Sequence, residues 1–221
     1  MKINQYIDHT NLKPTATKND IIKLCNEAKD HNFYAVCVNG SHVKTAKKSL
    51  GTTSVKIAAV IGFPLGAMST ETKVFEAKQA VMDGADEIDM VIHIGKLLEG
   101  NHQYVETEIS KIKKAIGNKV LKVILENCYL TSGLIKQASE LAVNAKADFI
   151  KTSTGFGTGG ATAEDILLMK EIVDNQIQIK AAGGIKDLKT AKKFIHFGAS
   201  RLGTSSGVAL ATEGVSFKNE Y

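Results

Sequence analysis

Apolar residues gather in short runs, separated by longer stretches in which they recur every three or four positions. The runs are "YAVCV" (34–38), "VKIAAVIGF" (55–63), "EIDMVI" (87–92), "VLKVIL" (120–125), "DFIKTS" (148–153) and "IQIKAA" (177–182). They are rich in Val and Ile and bounded by Gly, Asn or Pro, as strands of a parallel sheet covered on both faces should be. The stretches between them carry helix signals. Thr17 stands three residues before Asp20 in a capping-box arrangement, and Ile21, Leu24, Cys25 and Ala28 follow at helical spacing. Thr162 and Asp165 repeat the arrangement ahead of Ile166, Leu167 and Met169. Gly84 closes "VFEAKQAVMDGAD" as a C-cap.

"YIDHT" (6–10) supplies a short first strand and "RLGTS" (201–205) a last one. Eight alternating units in 221 residues predict an α/β chain folded as a TIM (β/α)8 barrel, one domain over 1–221. A doubly wound open sheet would need its Gly-rich turn after the first strand. Here the glycines come late, at 155–160, 183–184 and 203. The polar end, 215–221, is expected to be a mobile tail.

Composition narrows the function. Lysines and arginines number 28 against 23 acids, but they are spread along the chain. Without a basic stripe interleaved with aromatics, nucleic acid is a poor partner. The three cysteines, Cys25, Cys37 and Cys128, are far apart and form no Cys-x-x-Cys pair. That argues against a disulfide scaffold or a zinc site and suits a reducing cytoplasm. "MKINQYIDHTNLK" lacks the apolar core of a signal peptide, and no apolar run approaches a membrane span. No His-x-His, HExxH or Gly-x-Ser-x-Gly motif occurs, which disfavours metal-dependent and serine hydrolases. His9 and His93 read as polar rim residues, and Cys37 as core packing.

The unusual residues are charges inside apolar strands. With the greasier set placed against the helices, Phe149, Lys151 and Ser153 point into the barrel, as do Gln178 and Lys180. Glu87, Asp89 and Val91 point in as well, and Lys122 shares a face with Ile124 and Glu126. One inward lysine alone would most simply snorkel to water. Two on adjacent strands, near an inward aspartate, call for a function. A free amine has a pKa of about 10.4, so only about 1 in 2,500 is a neutral nucleophile at pH 7. A second ammonium about 5 Å away, at an effective dielectric of about 20, disfavours protonation by roughly 3 kcal/mol. Lys151 and Lys180 together are therefore a way to make a Schiff-base amine, with Asp89 to move protons. Strand parity does not rank Lys151 over Lys180. "GTGG" (157–160), "AGGIK" (182–186) and "GTSSG" (203–207) follow the last three strands, with a short helix expected near Ser205. Backbone N–H groups there can cradle a phosphate.

"IDHTNLKP", "YAVCVN", "VIGFPLG", "GADEIDMV", "LKVILE", "FIKTSTGF", "IKAAGGIK" and "RLGTSSG" resemble, in order and spacing, the motifs of the deoxyribose-phosphate aldolase family. The resemblance runs from about residue 6 to 207. It implies a class I aldolase on a TIM barrel that reversibly splits 2-deoxy-D-ribose 5-phosphate into D-glyceraldehyde 3-phosphate and acetaldehyde, with no cofactor and no metal. It places the Schiff-base lysine at Lys151, with Lys180 and Asp89 as proton relay. Phosphate contacts fall to Gly155, Gly183, Gly184, Ser205 and Ser206, while Asp8, Thr10, Cys37 and Lys122 line the site. Some family members end in a tyrosine, so Tyr221 is a candidate to bring its hydroxyl to the imine. Partners are then a small phosphorylated sugar and acetaldehyde, with no nucleic acid and no membrane, and a homo-oligomer is compatible. Gly40, where the family more often has proline, and His93, where asparagine is common, depart from the pattern. The rival readings are another Schiff-base aldolase and a phosphosugar-binding barrel without turnover.

Overall fold

A computed structural model describes residues 2–212; the tail 215–221, with Tyr221, lies outside the described residues. Eight strands alternate with helices. They are β1 (Ile7–Asn11), β2 (Ala35–Asn39), β3 (Lys56–Ile61), β4 (Glu87–Val91), β5 (Val120–Ile124), β6 (Phe149–Lys151), β7 (Gln178–Ala182) and β8 (Arg201–Thr204). Each is parallel to the next, and β8 pairs back onto β1 to close the barrel. The helices are α1 (Lys18–Asp30), α2 (Val43–Leu50), α3 (Thr70–Asp83), α4 (Ile94–Leu98), α5 (His102–Ile116), α6 (Ser132–Asn144), α7 (Ala163–Val173), α8 (Leu188–His196) and α9 (Gly207–Thr212). Among the described residues no helix is long and apolar enough to cross a membrane.

Local chemistry sets the helix ends. Thr17 and Asp20 form the full capping box that starts α1. At α7 the Thr162 hydroxyl accepts from the Asp165 N–H at 3.0 Å. Gly84 ends α3 in the left-handed region at φ 112°.

The main core lies between barrel and helices. Ile7, Val36, Ile57, Ile88, Met90, Leu121, Val123, Ile150, Ile179 and Leu202 project outward from the strands into it. Each large aliphatic side chain buried there stabilises the fold by roughly 1.5–3 kcal/mol. The barrel interior is divided instead. One side, under β2 and β3, is apolar: Leu12, Cys37, Ala58 and Val60, with Phe63 packed on them. The rest is filled with charge. A separate buried pair, Lys73 and Glu108 at 2.7 Å, lies in the helix layer. Lys73 also donates to the Val91 carbonyl at 2.9 Å, tying α3 to the end of β4.

The helix expected near Ser205 is found, beginning at Gly207. Two expectations are corrected. The strand expected over 148–153 ends at Lys151, and Thr154 beyond it is held by Glu126. His9 is no rim residue: it is 3% exposed, and its Nε2 meets Glu27 Oε2 of α1 at 2.8 Å.

Candidate active site

The inward strand positions converge on one buried cluster. Asp8 of β1, Glu87 and Asp89 of β4, Lys122 of β5, Lys180 of β7 and Arg201 of β8 form a closed ring of alternating charge. Lys180 Nζ donates to Asp8 Oδ2 and, at 2.8 Å, to Asp89 Oδ2. Lys122 Nζ donates to Asp89 Oδ1 at 2.7 Å and lies 2.5 Å from Glu87 Oε2, in an ion pair off the hydrogen-bonding direction. Arg201 closes the ring, with Nη2 on Glu87 Oε1 and Nη1 on Asp8 Oδ1, both at 2.6 Å. Three carboxylates thus face three cations, and every member touches at least two of opposite sign. That arrangement is what makes such burial tolerable, since an unpaired buried charge costs several kcal/mol.

Lys151 hangs on this ring from outside. Its Nζ donates to Asp89 Oδ2 at 3.0 Å, the same oxygen that Lys180 holds. Lys151 and Lys180 are register neighbours across β6 and β7, so the lysine pair read from the sequence exists, but a carboxylate bridges it. Like-charge repulsion alone is therefore an incomplete account. Four cations now stand against three carboxylates, 4 − 3 = +1, and Lys151 is the one in excess. It is also the member of the cluster that lines the open cavity.

Ionisation of the ring follows from the pairing. Burial works to raise Asp8, but Lys180, Arg201 and Lys122 outweigh it and hold its carboxyl at about 2. Burial likewise opposes Asp89, and Lys122, Lys151 and Lys180 bring it well below the ordinary carboxylate range. Burial would lower Lys180, yet Asp8 and Asp89 keep its ammonium above the usual value. Lys180 is therefore a fixed cation. Burial pushes the Cys37 thiol up, so it stays neutral on the apolar side of the barrel.

An acid-stability prediction arises here. Both aspartates have folded-state values below their unfolded ones. The stability they contribute is therefore complete above the unfolded value, about pH 4, and lost as pH falls through the folded one, about pH 2 for Asp8. The drop from 3.8 to about 2 at Asp8 alone corresponds to about 2 kcal/mol. The urea midpoint is expected to be level down to about pH 5 and to fall between about pH 4 and 2. A midpoint unchanged down to about pH 2 would contradict the ionised ring.

The cavity has a volume of about 500 Å³ at the C-terminal ends of the strands. Lys151, Thr10, Gly155, Gly183, Gly184, Ser205 and Ser206 all lie on its wall. The loops after β6 and β7 touch backbone to backbone: Ala161 N–H reaches the Ala182 and Gly183 carbonyls at 3.0 and 3.1 Å. A Cβ on Gly160 would sit 2.4 Å from the Gly183 oxygen, so only glycine fits there. After β8, Thr204 Oγ1 donates to the Ile185 carbonyl at 2.7 Å and accepts from the Ser206 N–H at 2.9 Å. The phosphate-loop candidates are thus brought together around the same cavity as the Lys151 amine. Thr10 donates to the Asp8 carbonyl at 2.8 Å and packs beside the ring. Of the departures noted in the sequence, His93 caps α4 through Nδ1, which accepts from the Lys96 N–H at 3.3 Å.

Three contributors were not among the sequence candidates. Glu126 sits in the left-handed region at φ 58°, and its carboxylate accepts from both the N–H and the hydroxyl of Thr154. It anchors the loop that follows Lys151. Glu87 carried an inward signal in its strand parity. Arg201 carried no such signal, because no parity was read for the last strand. A Cβ on Gly203 would stand 3.1 Å from Lys180 Cε, so that glycine leaves the Lys180 stem its space.

Comparison with known proteins gives a consistent result. Residues 2–212 match the model described as "DeoC/LacD family aldolase". The deoxyribose-phosphate aldolase of Thermococcus gammatolerans is 56% identical over 214 residues, covering 95% of each chain. That of Deinococcus radiodurans is 51% identical over 214 residues, covering 97% of each. Among solved structures, a putative deoxyribose-phosphate aldolase from Coccidioides immitis superposes with a TM-score of 0.95 at 41% identity, covering 96% of this chain and 85% of that one. The tetrameric deoxyribose phosphate aldolase from Aeropyrum pernix gives 0.86 at 32%, covering 96% and 90%. With a family match across all the described residues and relatives above half identity, the barrel built around Lys151 belongs to the DeoC/LacD aldolase family.

Proposed function

We propose that this aldolase reversibly cleaves 2-deoxy-D-ribose 5-phosphate to D-glyceraldehyde 3-phosphate and acetaldehyde through a Schiff base on Lys151. One observation carries the choice of lysine. Lys122 and Lys180 are each locked between at least two carboxylates, whereas Lys151 is the supernumerary amine and opens on the cavity.

The neutral Lys151 nitrogen adds to the substrate aldehyde, and loss of water leaves an iminium. The C3 hydroxyl gives up its proton, the C2–C3 bond breaks, and its electron pair moves into the iminium to leave an enamine. D-glyceraldehyde 3-phosphate departs. Protonation of the enamine carbon restores an iminium, and water releases acetaldehyde and the free amine. Asp89, 3.0 Å from the Lys151 nitrogen, and the Lys180 ammonium behind it handle the protons. The wall of Gly155, Gly183, Gly184, Ser205 and Ser206 takes the phosphate. Self-association, as in the tetrameric Aeropyrum pernix relative, belongs to the same reading, and so does cytoplasmic residence.

The test compares two substrates. The protein is expected to release acetaldehyde from 2-deoxy-D-ribose 5-phosphate, with a far higher KM for unphosphorylated deoxyribose. Ser205→Asp should raise KM for the phosphorylated sugar by roughly ten- to a hundredfold, since one repelled charge is worth a few kcal/mol at most. It should change the reaction of deoxyribose much less. Equal losses on both substrates would remove the phosphate from this wall.

A further inference from the structure

Arg201 and Glu87 stand at the closed end of the barrel, and neither lines the cavity. Arg201 is 4% exposed, with its guanidinium 3.3 Å from the ring centre of Tyr34 and 5.6 Å from that of Phe149. Its two nitrogens reach Asp8 on the adjacent strand β1 and Glu87 on β4, across the barrel. A lysine could supply the charge there but not the fork. Both residues contact the ring and neither contacts Lys151. Arg201 and Glu87 cancel within the ring, so removing either charge alone leaves a net charge beside Lys151.

From this we infer that Arg201 and Glu87 are positioning residues that set the charge state of the Lys151 amine from a distance, through the ring. The inference rests on the Schiff-base reading of Lys151. Among the described residues, the charges inside the strand ring are Asp8 from β1, Glu87 and Asp89 from β4, Lys122 from β5, Lys180 from β7 and Arg201 from β8. On the cavity side Lys151 faces Lys13, Asp20, Lys23, Glu27 and Lys186, and Glu126 is held on Thr154; these stay the same in every variant below. Cys37 of β2 is a neutral thiol, and β3 contributes only Ala58 and Val60. With Arg201 gone the ring is one charge negative, and Lys151 keeps its proton to a higher pH. With Glu87 neutralised the ring is one charge positive, and Lys151 gives its proton up earlier. The two changes act in opposite directions, which a loosened barrel cannot imitate.

The experiment traps the imine of acetaldehyde with cyanoborohydride across a pH series and reads the midpoint of the rate. A unit charge roughly 10 Å away, at an effective dielectric of about 20, moves a titration by about one pH unit. Arg201→Gln should move the midpoint up by about that much, and Glu87→Gln down by a similar amount. The double variant should return it near the wild type, as should Arg201→Lys, which keeps the charge without the fork. If Arg201→Gln does not fold, the isosteric Glu87→Gln decides alone by its downward shift. A common midpoint in all variants, or Arg201→Lys moving with Arg201→Gln, would overturn the inference and leave the Schiff base standing. A wild type that forms no adduct would instead overturn the Schiff-base reading, and this inference with it.

Discussion

Replacing Lys151 with methionine is expected to remove aldol cleavage by at least about four orders of magnitude while leaving the fold as stable as before, or slightly more so. The loss is large because the covalent route itself disappears: no other amine of the cluster faces the cavity unlocked. Lys180 cannot stand in. It is fully buried, held by Asp8 and Asp89, and kept protonated. The stability expectation follows from the charge count. The ring balances three carboxylates against three cations without Lys151, so the substitution deletes the excess charge and preserves the volume of the side chain. Borohydride with acetaldehyde should add one two-carbon unit to the wild type, mapped to Lys151, and nothing to the variant. An adduct on Lys180, or a variant that keeps its turnover, would move the nucleophile elsewhere.

Asp89→Asn should behave in the opposite way and lose both activity and stability. Asp89 is the carboxylate that Lys122, Lys151 and Lys180 share, with nothing of it exposed. Its amide would keep the shape but leave four cations against two carboxylates. Breaking a buried ion pair by removing one partner costs roughly 3–5 kcal/mol. For a chain of this size that is a fall in Tm of roughly 6–20 °C. Activity should drop by a further two to four orders of magnitude as proton transfer at the Lys151 nitrogen loses its carboxylate. Calorimetry and turnover of the same sample read both losses. A variant as stable as the wild type would mean that the ring does not carry the charge balance described here; an active one would release Asp89 from proton transfer.

The pattern of the chain by itself determined the architecture and the direction of the side chains. Strand parity is local: successive residues of an extended chain face opposite ways, so Lys151 had to share a face with Phe149, and Asp89 with Glu87. Capping is equally local, and Thr17 with Asp20 started α1 as their spacing required. The barrel count came from the same repeats. The identity of the nucleophile came from no such rule, because parity treats Lys151 and Lys180 alike. The sequence motifs separated them by resemblance, and the tertiary structure supplies a physical difference between them. Lys180 meets Asp8 across 172 positions, and Arg201 meets Asp8 across 193, only because β8 pairs with β1. Ion pairing depends on distance in space, and a strand pattern is silent about which strands become neighbours across a closed barrel. The same holds for Glu126, whose grip on Thr154, just past the end of β6, spans 28 positions. It holds for His9 as well, turned toward Glu27 of α1 rather than toward the rim. Closure of the barrel therefore decided which charges neutralise one another, and left the amine of Lys151 as the one without a counter-charge of its own.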